Sequence, residues 1–195
     1  MLPEPVAVTV QVIDALELVG ARYVIGGSFA SAIHGVVRTT LDTDIVADLN
    51  LRQAQPFAAR LAGTFYLDLD SIRAAIRNHG GFTVIQLATM FKVDLFIPKD
   101  RLFDRQQLAR RQPWVADPDS GRVIYVATPE DTILAKLEWY RLGNEVSDRQ
   151  WRDILGVLAV QADRLDVAYM GQSAASLGVK DLLERALTQM SRGAS

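Results

Sequence analysis

The apolar positions at the start of the chain predict an N-terminal helix. Residues 6–19 carry apolar side chains at helical spacing, and Gly20 follows them directly. The valines within residues 6–12 also alternate with other residues, as they would in a strand. The length of the segment and the glycine behind it favour a helix over a strand.

A strand, a glycine turn and a second helix are predicted next. The apolar run Arg22–Ile25 leads directly into Gly26 and Gly27. Ser28 is a good N-cap residue, so we expect the helix to occupy residues 29–34. The order strand, turn, helix places the two glycines at the N-terminus of a short helix.

The pattern up to residue 126 continues to mix strands with helices. It predicts strands at 43–49, 82–87, 91–97 and 123–126, and helices at 51–62, 71–78 and 101–111. The second and third of these strands are separated by a short connection, which is typical of a hairpin. The mixture indicates an α/β domain that spans residues 1–127.

The C-terminal part of the chain has a helical pattern throughout. Thr128 is a capping residue and Pro129 occupies the first helical position, which marks a helix start. The pattern predicts helices at 129–142, 147–161 and 165–189. We therefore expect an α+β protein whose mixed sheet is flanked by helices, followed by a helical region at 128–195 packed on the first domain.

Composition then narrows the class of protein. The chain has 195 residues, of which 49% are hydrophobic and 23% charged, which excludes disordered, collagen-like and coiled-coil proteins. It has no cysteine, which excludes a disulfide scaffold and a zinc ribbon, and its two histidines are too few for a histidine-based metal site. A net charge of −2 argues against non-specific coating of nucleic acid. Without a basic leader or a long apolar run, we expect a cytoplasmic protein with no membrane partner.

Three aspartates are the strongest candidates for chemistry. Asp42 and Asp44 are two residues apart on one strand, so their side chains share a face about 7 Å apart. Asp94 interrupts an apolar strand, on the face opposite Val93 and Leu95. If the two strands are neighbours, three carboxylates converge at one place.

Converging carboxylates repel one another, so such a cluster typically holds a divalent cation. Oxygen ligands without histidine or cysteine favour Mg²⁺ or Mn²⁺. Magnesium commonly bridges carboxylates to substrate phosphates, which indicates phosphoryl or nucleotidyl transfer. Glycines let a backbone approach a phosphate, so the segment Gly26-Gly27-Ser28 fits the same chemistry.

Each of these features also has a simpler interpretation. The two glycines could simply form a tight turn, and Asp42 could simply begin a strand. Asp94 could pair with Lys92 or Arg38, and Asp48 could simply end its strand. The basic residues within 99–111 could bind an RNA backbone, but the interleaved acids favour an ordinary charged surface.

The motifs together resemble those of the DNA polymerase β-type nucleotidyltransferase superfamily. The resemblance rests on an apolar-Gly-Gly-Ser turn, an Asp-x-Asp strand and a later apolar-Asp-apolar strand. The motif residues are similar to those of the AbiEii-like and related uncharacterised bacterial branch. The resemblance covers roughly residues 20–160. The segments that carry it are Gly26-Gly27-Ser28, Ala32-Ile33-His34-Gly35, Arg38, Thr40, Asp42-Thr43-Asp44, Thr128-Pro129-Glu130-Asp131 and Ser147-Asp148-Arg149-Gln150-Trp151-Arg152-Asp153.

The resemblance implies an enzyme that moves a nucleoside monophosphate from an NTP such as ATP to an acceptor. It assigns Asp42 and Asp44 to the metal, and Asp94 to the metal and to activation of the acceptor hydroxyl. It implies nucleotide contacts from Gly26, Gly27, Ser28, Arg38, Lys92 and Lys136. The similarity to the AbiEii-like branch further implies a toxin setting, with an RNA or protein acceptor and a cognate antitoxin.

Three features depart from the superfamily pattern and leave alternatives open. The gap between Gly27 and Asp42 is long, and two extra helices separate Asp44 from Asp94. Thr43 is also more polar than the residue that usually stands between the acids. A nucleotide-binding or regulatory subunit that has lost turnover is therefore the alternative function, and a solvated surface lysine is the alternative for Lys136.

Overall fold

The structure, a computed structural model, describes residues 2–35 and 42–193. Its strands, in chain order, are β1 Arg22–Ile25, β2 Asp42–Asp48, β3 Phe65–Tyr66, β4 Gly81–Gln86, β5 Lys92–Phe96, β6 Gln112–Asp117 and β7 Arg122–Val126. Its helices are α1 Glu4–Leu18, α2 Gly27–His34, α3 Leu51–Leu61, α4 Leu69–Asn78, α5 Leu102–Arg110, α6 Pro129–Leu142, α7 Asp148–Gln161, α8 Val167–Leu177 and α9 Lys180–Gly193. A single 3₁₀ turn, Ala162–Arg164, follows α7.

The chain divides into two compact units. The first contains α1, α3, α4, α5 and the strands, and the second contains α2 and the helices from α6 to α9. The strands of the first unit form one mixed sheet in the order β3-β4-β5-β2-β1-β7-β6. The pairs β2/β5 and β1/β7 are parallel, and the other neighbours are antiparallel. The expected α+β fold, with a mixed sheet, flanking helices and a helical C-terminal region, is confirmed.

The central strands bury one face and leave the other partly open. In β2 the odd-numbered residues Thr43, Ile45 and Ala47 are buried, whereas the even-numbered residues are half-buried or, for Asp48, exposed. In β5, Val93 and Leu95 are fully buried. A hydrogen bond from Thr43 to Thr9 joins the buried face of β2 to α1. This alternation with period two follows from the pleat of the strand and separates an apolar face from a polar one.

The hairpin predicted at 82–97 is confirmed as the antiparallel pair β4/β5. The strand β6 was not predicted, because Pro113 and the polar residues at its ends are unfavourable in a strand. Its place at the edge of the sheet explains this, since an edge strand tolerates a residue that cannot donate a backbone hydrogen bond. The two-residue strand β3, at the opposite edge, is too short for a pattern to predict.

Two predicted helix boundaries in the second unit are wrong. The structure starts α2 at Gly27 with Gly26 as the N-cap, so Ser28 lies inside the helix. The single helix predicted at 165–189 is two helices, α8 and α9. The break occurs at Gly178, whose φ of 70° is the left-handed conformation that typically ends a helix.

The C-terminal helix α9 is fastened to the helices before it. Arg141 of α6 donates to both carboxylate oxygens of Asp181 at 2.6 Å. The indole of Trp151 in α7 donates to Gln189 at 3.0 Å, and the guanidinium of Arg185 lies 4.4 Å from the centre of that indole ring. These contacts give the last part of the chain a packing role within the second unit. Within the described residues, no helix is long and apolar enough to cross a membrane.

The buried His34 makes the stability of the second unit dependent on pH. Its Nε2 lies 2.7 Å from the carbonyl oxygen of Ala127, and burial lowers its pKa below 6.5. As the pH falls below 6.5, the unfolded chain takes up a proton that the folded chain does not. We therefore expect the free energy of unfolding to fall as the pH drops through this window, by up to about 1.4 kcal/mol per pH unit.

Urea unfolding between pH 5.5 and 8 measures this slope. His34→Gln is the matched control, because its side-chain amide can still donate to Ala127 but does not titrate. Both proteins keep His79, so the difference between their slopes isolates His34. Equal slopes in the two proteins would contradict this account.

Candidate functional site

The register of the central strands brings the three predicted aspartates together on one face. In the parallel pair β2/β5, Asp44 is the direct partner of Asp94, and Asp42 is the partner of Lys92. Paired residues on neighbouring strands lie about 4.8 Å apart, and residues two apart on one strand lie about 7 Å apart. Asp42, Asp44 and Asp94 are all partly exposed. The structure thus places a patch of carboxylates on the open face of the sheet, and we call these three residues the acidic face.

Thr43 holds the aspartate-bearing strand from the opposite face. Its hydroxyl lies 2.9 Å from that of Thr9 in α1, and both residues are fully buried. The Thr9 hydroxyl donates to the carbonyl of Pro5 at 2.7 Å, so in the shared bond Thr43 is the donor. A polar residue between the two acids is therefore satisfied here, and it fixes the strand against α1.

Asp94 has a hydrogen-bond partner that the sequence did not reveal. The hydroxyl of Thr83 in β4 donates to Asp94 Oδ1 at 2.5 Å. Thr83 and Asp94 are direct partners in the antiparallel pair β4/β5. The alternative partner Arg38 lies outside the described residues, and Lys92 is an exposed residue at the start of β5. The signal that could have found Thr83 is its position between Phe82 and Val84, which places it on the polar side of the predicted hairpin.

Asp48 stands apart from the acidic face and closes its strand. Its carboxylate accepts from Arg22 Nη2 at 2.7 Å, and the two residues are partners in the pair β1/β2. Both side chains are largely exposed. This ion pair agrees with the structural interpretation of Asp48.

The glycine turn belongs to the second unit. Gly27 has a φ of 54°, in the left-handed region, where a residue with a side chain is strained. The carbonyl of Gly26 accepts from Ala30, which closes the first turn of α2. Within the described residues, no side-chain cap bonds the N-terminus of this helix. Amide groups at a helix start are suited to an anion, which agrees with the predicted role of Gly26, Gly27 and Ser28 without testing it.

Lys136, the other basic candidate of the second unit, is engaged in an ion pair. Its ammonium lies 2.9 Å from Asp153 Oδ2, and only 9% and 4% of the two side chains are exposed. The alternative of a solvated surface lysine for Lys136 is therefore wrong, because the residue is buried. The assignment of Lys136 to a nucleotide stays a prediction, and any such contact would compete with Asp153.

Three basic residues of 99–111 interact with neighbours in the first unit. Arg101 binds Asp104 at 2.6 Å, and Arg105 binds Asp100. Arg111 donates to the carbonyl of Tyr23 at 2.6 Å, and its guanidinium lies 4.3 Å from the centre of the Tyr125 ring. These contacts support a charged protein surface over an RNA-binding patch.

The acidic face suits a hard cation in chemistry but is not closed around one. All of its donors are carboxylate oxygens, which Mg²⁺ and Mn²⁺ prefer. Yet among the described residues, no three aspartate, glutamate or histidine side chains are grouped closely enough to form a metal site.

Comparison with known proteins establishes the fold. No family model and no curated protein matches the chain. Among solved structures, it is similar to a nucleotidyltransferase-like protein from Paracoccidioides brasiliensis, at 15% identity, 96% and 94% coverage of the two chains and a TM-score of 0.55. It is also similar to the antibiotic-resistance factor ANT(2'')-Ia in solution, at 14% identity, 97% and 96% coverage and a TM-score of 0.53. The complex of ANT(2'')-Ia with adenylyl-2''-tobramycin is similar at 15% identity, with 88% and 95% coverage of the two chains and a TM-score of 0.53.

These likenesses show a nucleotidyltransferase-like fold. They extend over nearly the whole chain, including the helical region after the sheet. The AbiEii-like branch stays a prediction from the motifs.

We expect the buried Thr9–Thr43 bond to stabilise the first unit measurably. Thr9→Val leaves the Thr43 hydroxyl and the Pro5 carbonyl without this partner, which should lower the free energy of unfolding by about 1–3 kcal/mol. Thr43→Val leaves Thr9 bonded to Pro5 and should cost less. The double variant should therefore lose less free energy of unfolding than the two single variants lose in sum. Urea unfolding of all four proteins measures the coupling, and strict additivity would contradict the bond.

A second cycle separates the structural role of Lys136 from the nucleotide role. Asp153→Asn leaves a buried ammonium without its counter-charge and should destabilise the protein by about 3–5 kcal/mol. The double variant Lys136→Met/Asp153→Leu should recover most of that loss, as measured by urea unfolding. Unchanged NTP affinity in the folded double variant would show that Lys136 does not bind the nucleotide. A large loss of stability in the double variant would contradict the expected recovery.

Proposed function

We propose that the protein is a divalent-metal-dependent nucleotidyltransferase that transfers a nucleoside monophosphate from an NTP to an acceptor and releases pyrophosphate. The observation that carries the proposal is the register of β2 with β5, which pairs Asp44 with Asp94 and sets Asp42 one pleat away. The likeness of the fold to nucleotidyltransferase-like proteins supports the same reaction class.

In this proposal Asp42, Asp44 and Asp94 hold Mg²⁺ or Mn²⁺. When bound, the cation would stabilise negative charge on the transferring phosphoryl group. The carboxylates contribute by orienting the donor and by balancing the charge of the ion. Lys92, exposed at the register position opposite Asp42, would balance negative charge on the triphosphate.

The proposed reaction is a single displacement at the α-phosphorus. The acceptor oxygen forms a bond to that phosphorus while the bond to the bridging oxygen of pyrophosphate breaks. We assign the proton of the acceptor hydroxyl to the Asp94 carboxylate, which returns it to solvent after the transfer. A carboxylate can accept such a proton when it lies within hydrogen-bond distance of the hydroxyl.

Phosphate contacts are proposed separately for the start of α2. The left-handed Gly27 and the helix start without a side-chain cap among the described residues favour contact between the backbone amides and a phosphate. Gly26 and Ser28 are included in this assignment, and Arg38 and Lys136 stay candidates from the sequence alone.

The acceptor and the biological setting are finer proposals. The AbiEii-like motifs favour an RNA or protein acceptor in a toxin setting with a cognate antitoxin. The complex of ANT(2'')-Ia with adenylyl-2''-tobramycin makes a small hydroxylated molecule a further acceptor to test. Labelled NTPs incubated with cellular RNA, with cellular protein and with aminoglycosides distinguish these acceptors by the fraction that becomes labelled.

The alternative is a nucleotide-binding or regulatory subunit of the same fold without turnover. It is favoured by the open arrangement of the acidic face, in which no three-ligand cluster is formed among the described residues. NTP binding that responds to Mn²⁺ without any label transfer or pyrophosphate release would favour this alternative.

We expect Asp44→Asn and Asp94→Asn to reduce pyrophosphate release from NTPs by at least about 100-fold, because each removes a charge that faces the transferring phosphoryl group. Asp48→Asn is the matched control, since it removes a carboxylate of the same strand that binds Arg22 instead. The control should retain activity within about threefold and bind Mn²⁺ as the wild type does.

Electron paramagnetic resonance of Mn²⁺ provides the binding measurement for the same variants. If wild-type protein and Asp44→Asn bind Mn²⁺ and NTP equally, both the enzyme and the nucleotide-binding subunit are wrong. If Asp48→Asn loses as much activity as the other two variants, the acidic face is not the specific site.

A further inference from the structure

We propose that Thr83 is a positioning residue for Asp94, and that its hydroxyl orients the carboxylate that accepts the proton of the acceptor. This inference rests on the proposed function of Asp94 and adds a residue from a third strand. It starts from a row of direct partners across the sheet, in which Thr83 of β4 pairs with Asp94 of β5, and Asp94 pairs with Asp44 of β2.

The position of Thr83 indicates a role at this surface. Its neighbours Phe82 and Val84 are buried, whereas Thr83 itself is exposed and lies on the polar side of β4. A residue in such a place contributes little to the core. Its hydroxyl is nevertheless directed to Asp94 Oδ1, at a distance of 2.5 Å.

The hydrogen bond limits how the Asp94 carboxylate can rotate. An aspartate on an open sheet face can turn about both side-chain torsions, and a neighbouring aspartate directly opposite repels it. A charge-assisted O–H···O bond is short and comparatively strong, so it favours one orientation of the carboxylate. The bond uses one of the two lone pairs of Oδ1, so Oδ1 can still bind the cation, and we assign the acceptor proton to Oδ2.

The orientation should affect the reaction step more than the binding of the donor. Groups held in reacting geometry accelerate a transfer because the cost of ordering them is already met in the folded protein. Thr83 contacts Asp94 and is not among the residues proposed to bind the nucleotide. Its removal should therefore lower kcat while the KM for the NTP changes little.

Thr83→Val and Thr83→Ser form the matched pair of variants. Valine keeps the β-branched shape that suits a strand but removes the hydroxyl, and serine keeps the hydroxyl. We expect Thr83→Val to lower kcat about tenfold, with the KM for the NTP within about twofold of the wild type. Thr83→Ser should restore kcat to within about threefold of the wild type. The melting temperature should be the same for both variants.

Two further measurements link the effect to Asp94. In the Asp94→Asn background, Thr83→Val should change kcat by less than about twofold, because the group that Thr83 orients is already altered. Carbon-13 NMR of the Asp94 side chain, recorded without NTP, should show rotamer averaging in Thr83→Val but not in Thr83→Ser.

The outcomes separate this inference from the proposed function. If the wild-type enzyme turns over NTP and Thr83→Val does so at the same rate, the role of Thr83 alone is overturned. The same conclusion follows if Thr83→Ser is as slow as Thr83→Val. Unchanged Asp94 torsions in Thr83→Val overturn it as well, whatever the activity. A wild-type protein that neither binds Mn²⁺ nor releases pyrophosphate overturns the proposed function itself, and this role with it.

Discussion

The parallel pairing of β2 with β5 is the constraint on which the candidate site depends. The two strands are about 50 residues apart in sequence, and only their register makes Asp44 and Asp94 direct partners. A shift by one residue would turn one set of acids to the buried face, where a carboxylate without a counter-charge is costly. The apolar residues Ile45, Val93 and Leu95, all fully buried, therefore fix the place of the acids as well as the core.

Carboxylates placed side by side work against the stability of the sheet, so the strands that bear them need support from elsewhere. Thr43 supplies one contact, since its buried hydroxyl bonds to Thr9 on the opposite face of β2. Thr83 supplies another, through its hydrogen bond to Asp94. Thr43 lies on the face of the sheet opposite the acids, and Thr83 lies on the same face as Asp94. The strands that bear the acids are therefore supported on both faces of the sheet. These neighbouring contacts fix the positions of the acids, because like-charged carboxylates do not attract one another.

The sequence was sufficient for the parts of the fold that local patterns determine. The β4/β5 hairpin, the strand of Asp42 and the helix that starts at Pro129 follow from alternation, turn residues and caps within short segments. The edge strand β6 and the break at Gly178 were missed. A proline is acceptable at a sheet edge but not in a central strand, and the pattern does not show which position a strand takes.

The candidate site was predictable to a similar extent. Asp42, Asp44 and Asp94 could be chosen because a carboxylate in an apolar strand is unusual. Thr83 was indicated only by its place on the polar side of the predicted hairpin, which is a weak signal because an exposed threonine in a strand is common and its partner depends on cross-strand register. Ser28 was placed at the N-cap because serine favours that position, whereas the helix starts two residues earlier, at the left-handed Gly27.

Paramagnetic broadening of amide NMR signals by Mn²⁺ tests most directly whether residues of both strands share one cation. Our account requires the signals of residues 42–45 and 92–95 to broaden together at low Mn²⁺ concentrations, and to recover when excess Mg²⁺ is added. Broadening that appears in only one of the two strands, or first at exposed acids such as Asp100 or Asp119, would contradict it.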